Sequence, residues 1–171
     1  MASGPRMPAG MLSPPGDADA KPRSLKLEKG IKSGSWVELQ VAEPNDAPTR
    51  ATFEHYRDDS RFFSLDVLPL LHKSFASALP GFDLFVPRLF VGERLTRLVD
   101  ELGELEKTLS YVKTAASARE KWGLQSELVR GLATDAEWVA VRDAIAATAR
   151  EVAAFAKATS EKGRGLWILG V

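Results

Sequence analysis

The chain has no cysteine. That excludes a disulfide framework, a thiol nucleophile, a zinc ribbon and an iron–sulfur cluster. Histidine is nearly as scarce, with only His55 and His72 present. A dedicated transition-metal site therefore has few of its usual ligands to draw on, and neither a metal nor another cofactor is expected. There is no surplus of either charge, because 23 Lys+Arg balance 23 Asp+Glu. A general nucleic-acid binder needs a basic excess to neutralise phosphates, so nucleic acid is an unlikely partner on this composition. No apolar run approaches the roughly 18 residues of a membrane-spanning helix. The first residues lack the apolar core of a secretory signal, so a cytoplasmic location is expected. Several catalytic signatures are missing as well: no phosphate-binding G-x-x-x-x-G-K-[ST], no G-x-G-x-x-G between a strand and a helix, no H-E-x-x-H and no G-x-S-x-G elbow occurs.

What is present suits a globular fold. Residues 1–23 hold Pro5, Pro8, Pro14, Pro15 and Pro22 with Gly4, Gly10 and Gly16, and show no hydrophobic period. They read as a disordered tail, which leaves residues 24–171 as one expected domain. From 24 to 57 the pattern alternates. Leu25 and Leu27, then Val37, Leu39 and Val41, then Ala51, Phe53 and His55 are separated by polar residues such as Lys26, Glu38, Gln40 and Glu54. Period two predicts half-buried strands with one wet face. The Glu43–Thr49 stretch, with Pro44 and Pro48, predicts a loop joining two antiparallel strands. Arg61 to Leu65 suggests a short fourth strand.

The period then lengthens. Asp66 is placed to cap a helix that buries Leu68, Leu71, Phe75 and Leu79 and stops at Pro80-Gly81. Phe82, Leu84, Phe85 and Val86 form an apolar link expected in the core. From Pro87 to Ala116 an unbroken seam runs through Val91, Leu95, Leu98, Leu102, Leu105, Leu109, Val112 and Ala116, alternating steps of four and three. Residues 117–133 read as a shorter, irregular helical stretch broken near Gly123. A last helix opens on Thr134-Asp135-Ala136-Glu137, a capping box. It carries Trp138, Val141, Ile145, Thr148, Val152, Phe155 and Thr159 on one face and ends at Gly163. The apolar end, Arg164 to Val171, is most simply a buried strand that pairs with the N-terminal hairpin, or else an extended segment lying against the helices. The fold class expected is α+β: a small antiparallel sheet packed on a helical layer with two long antiparallel helices. The leucine seam most simply faces the last helix, though it also suits a homodimer.

Functional candidates are few. The His55-Tyr56-Arg57-Asp58-Asp59-Ser60-Arg61 cluster suits either a solvated turn or a dispersed acid/base site, and His72 lies on the first helix. Residues 35–63 carry Glu38, Glu43, Asp46, Glu54, Asp58 and Asp59 against Arg50, Arg57 and Arg61. A face of one sign can steer a basic partner. Residues 1–34 have the opposite bias. Trp36, Trp122, Trp138 and Trp167 could serve as base-stacking platforms, but Trp138 and Trp167 sit in apolar surroundings and are read as packing residues. The expectation is a non-enzymatic, cytoplasmic protein-binding module. By analogy of size and character, its concrete form is a bacterial immunity-type protein that neutralises a basic toxin domain. The partner surface would comprise Glu43, Asp46, Glu54, Arg57, Asp58 and Asp59. Two alternatives stand beside it: an enzyme with a dispersed site around His55 or His72, and a homo-oligomer joined through the Leu95–Val112 seam.

Overall fold

A computed structural model describes residues 25–31, 35–47, 54–83 and 85–170. Their order is β1 (Trp36–Val41), β2 (Arg61–Ser64), α1 (Leu68–Ala78), β3 (Arg88–Phe90), α2 (Glu93–Tyr111), α3 (Ala115–Trp122), α4 (Glu127–Arg130), α5 (Asp135–Glu161) and β4 (Leu166–Gly170). The four strands form one antiparallel sheet in the order β2-β1-β4-β3. The α+β class, the long helix pair and the C-terminal strand stand as the sequence pattern predicts. The expected tail, Ala51, Phe53 and Leu84 lie outside the described residues.

Register sorts the side chains onto two faces. Val37 opposes Phe63 and Leu39 opposes Ile168, while Phe90 opposes Leu166. These apolar residues share a face with the helices, in a cluster with Phe75 of α1, Leu95, Leu98 and Leu102 of α2, and Ala149, Val152 and Ala156 of α5. Alternation puts Glu38, Gln40, Phe62, Leu89, Trp167 and Leu169 on the opposite face, and all are buried too. The wet face expected for β1 is therefore closed. Part of its cover is the β1–β2 connection: Asp46 accepts the Trp167 indole N–H at 2.8 Å, and Tyr56 stacks on Phe62 at 5.9 Å.

The helix pair is antiparallel. Trp138, early in α5, donates its indole N–H to Val112 just after α2 ends, whereas Arg150, later in α5, reaches Glu106, earlier in α2. Leu95, Leu98, Leu102 and Leu109 are buried within the chain. These four leucines of the seam thus pack inside the chain, in clusters to which α1 and α5 contribute. A second cluster lies at the far end of the pair, with Leu109, Ala118, Trp122, Val129, Trp138 and Ile145. There Trp122 and Trp138 meet at 5.8 Å.

Several local expectations are corrected. His55 and Tyr56 form a turn rather than a strand, and the antiparallel partner of β1 is β2. Asp66 does not cap α1. Val67 holds the N-cap position with no side-chain bond, and Asp66 instead accepts from the Ser64 hydroxyl at 3.1 Å. The helix expected from Pro87 starts only at Glu93. As a strand, Leu89 buries itself on one face and Phe90 on the other, which a helical turn does not permit. Gly92, at φ 53°, then supplies a corner that favours glycine before α2 begins. At its other end α2 stops at Tyr111, so Ala116 belongs to α3. Val91 is left exposed, as are Phe85 and Val86, which were expected inside.

Candidate functional site

The site is built on a residue that the period-two pattern assigns to solvent. Glu38 has 0 % exposure in the middle of β1. A buried carboxylate is tolerated only when hydrogen bonds replace its lost hydration. Its Oε1 accepts from Ser60 Oγ at 2.6 Å, from Gln40 Nε2 at 3.1 Å and from the Arg57 amide at 3.4 Å. Its Oε2 accepts from the Tyr56 amide at 3.1 Å and lies 3.4 Å from His55 Nδ1. Tyr56 adopts φ 62°, a left-handed conformation. Successive amides of Tyr56 and Arg57 are thereby turned toward the one carboxylate. The second N–H of the Gln40 amide goes to the Glu54 carbonyl at 2.6 Å. Residues 54–60 are consequently pinned to the sheet from beneath, at several points along their length.

The upper side of this loop is charged. Arg57 grips Asp59 with two parallel bonds, Nε to Oδ1 at 2.9 Å and Nη2 to Oδ2 at 2.7 Å, and reaches Glu43 Oε1 at 3.1 Å through Nη1. The hydrogen bond it donates to Asp59 holds the guanidinium pKa above its ordinary range, against the lowering effect of burial. Glu43 in turn meets Arg164 at 3.4 Å, and Arg164 donates through Nε to the Ala42 carbonyl at 2.8 Å. Glu54, Tyr56, Arg57, Asp58 and Asp59 line an open hollow of about 400 Å³. It presents three carboxylates against one guanidinium.

Of the residues singled out from sequence, Glu43, Arg57 and Asp59 come together as an ion network, and Glu54 and Asp58 join Arg57 and Asp59 around the hollow. Asp46 is turned elsewhere. Its Oδ2 accepts from the Trp167 indole and from the Glu43 amide at 2.9 Å, so it closes the sheet face. His72 is exposed, tilted against Phe82 at 5.7 Å, and lines a separate hollow whose wall includes no carboxylate. The sequence pattern offers Ser60 only as part of a charged cluster, Glu38 only as one charge of an acidic stretch, and Gln40 only as a wet-face residue, because alternation cannot distinguish a solvated carboxylate from one covered by a distant loop. Among the described residues, no group of three His, Asp or Glu side chains is placed to hold a metal ion. No helix among them is long and apolar enough to cross a membrane. No protein-family model matches the chain, and neither a curated protein nor a solved structure matches it.

Proposed function

We propose that the chain is a protein-binding module and that the loop at residues 54–60, with Glu43 beside it, is its contact surface. One observation carries this reading: a wholly buried glutamate is committed to fixing a charged loop from below. A loop held in advance loses little conformational entropy when a partner docks. The carboxylate excess of Glu54, Asp58 and Asp59 around Arg57 suits a partner with a basic patch. An immunity-type protein that neutralises a basic toxin domain is the finer form of the proposal. Its test is capture from the native host with the full chain as bait. One stoichiometric partner retained by the parent chain and lost with Glu54→Lys, at an exposed side chain, supports the proposal. Equal capture by both baits overturns it.

A second reading has its own observation. His55 Nδ1 beside Glu38 is the arrangement in which a carboxylate orients an imidazole for proton transfer. Ser60, the hydroxyl of this network, donates to Glu38. Turnover of a small molecule that His55→Gln abolishes, with no protein partner captured, would favour the enzyme.

A further inference from the structure

We infer that the open groove between the β1–β2 connection and the C-terminal end of α5 binds an organic anion, a carboxylate or phosphate monoester carried on an apolar body. This goes beyond the loop reading and does not depend on it. The groove encloses about 610 Å³. Its charged lining is Arg57, Arg61, Lys162 and Arg164 against Glu43 and Asp59. Arg57 and Arg164 are spent on those two carboxylates. Among the described residues, Arg61 and Lys162 remain without an ion-pair partner, in a chain whose formal charge is zero.

Most of their donors are uncommitted among the described residues. Arg61 uses only Nη1, on the carbonyls of Asp59 at 2.9 Å and Ser60 at 3.0 Å, while its guanidinium stacks 5.3 Å from the Phe155 ring centroid. Nε and Nη2 of this fixed, planar group stay available for bidentate contact with an anion. Lys162 makes no ion pair among the described residues. Val41, Phe155 and Ala158 supply the apolar wall.

The plainer explanation is that these cations only complement the negative end of the α5 dipole. It accounts poorly for the arrangement. Two carbonyls of the last turn of α5, those of Thr159 and Ser160, already accept the backbone amides of Lys162, Gly163 and Arg164. Arg61, moreover, comes from β2 and is held by its own loop.

Calorimetric titration of the full chain at fixed ionic strength tests the site. The probes are phenyl phosphate, benzoate, inorganic phosphate, benzyl alcohol and benzamidine. Saturable one-to-one binding of phenyl phosphate or benzoate is expected, and which of the two binds tells phosphate from carboxylate. Inorganic phosphate should bind more weakly than phenyl phosphate, and the neutral and cationic analogues not at all. Lys162→Gln should weaken binding at least about threefold and Arg61→Gln/Lys162→Gln about tenfold, roughly one charged contact's share. Lys157→Gln, on α5 outside the groove, should leave it unchanged. Should the double variant not fold, Lys162→Gln decides alone, since that side chain is exposed. The proposal is overturned if neither aromatic anion binds saturably, if benzyl alcohol binds as well, or if Lys162→Gln has no more effect than Lys157→Gln.

Discussion

Removing the Glu38 carboxylate leaves the Ser60 hydroxyl, itself buried, with no acceptor, and strips the Tyr56 and Arg57 amides of theirs. An unsatisfied buried donor costs about 1–3 kcal/mol, so Glu38→Ala should lose at least that much in urea denaturation. Glu54→Ala, at an exposed side chain in the same loop, should stay within about 0.5 kcal/mol of the parent. Equal losses would show that Glu38 does not hold the loop. A second residue is fixed by crowding. A Cβ at Gly165 would lie 2.7 Å from Val91 Cγ1, 2.9 Å from Leu89 Cδ1 and 3.2 Å from the Phe90 carbonyl oxygen. Gly165→Ala is expected to cost about 1–3 kcal/mol by overpacking, measured as a shift in the denaturation midpoint. Neither role was legible in the sequence. Glu38 looks like any polar residue on an alternating strand, and Gly165 looks like part of a helix stop, because their neighbours arrive from loops and strands far along the chain.

Among the elements, α5 carries the clearest local signal, whereas the cap expected at Asp66 does not form. The α5 capping box forms as its four residues prescribe: Thr134 accepts from the Glu137 amide at 3.2 Å, and Glu137 accepts from the amides of Ala133 at 2.7 Å and Thr134 at 3.0 Å. Those backbone bonds, Ala133 first, hold the Glu137 carboxyl below its usual value of 4.5. A carboxyl whose pKa is lowered by folding stabilises the native state when ionised. Its contribution is complete above the unfolded value and disappears as the pH falls through the folded one. The melting-temperature difference between the parent and Glu137→Gln should therefore be largest near neutrality and shrink in acid below about pH 4.5. A constant difference would refute this assignment. Where the expectations failed, a tertiary pairing overrode a local pattern. The seam running back through Val91 resembled a longer α2. Pro87 and Gly92 bracket a short aromatic and aliphatic run, however, and β4 recruits it as an edge strand.

Across the whole molecule, Leu105 packs against both apolar clusters, and α2 and α5 contribute to each. The sheet end and the tryptophan end should therefore open together. The slowest-exchanging amides of β4, such as Ile168, and of the distal cluster, such as Ile145, are expected to report the same free energy of opening in native-state hydrogen exchange. Separate values would mean two independently unfolding halves. Fold class and helix pairing were legible at this scale because periodicity and caps are written in consecutive residues. The groove was not, since Val41, Arg61, Phe155 and Arg164 become neighbours only once the strands have paired. The strand order carries a consequence for synthesis. β4 lies between β1 and β3, so the gap at the centre of the sheet persists until residue 170 has left the ribosome. Until then the edges of β1 and β3 that β4 will cover stay unpaired and open to strand addition by other chains.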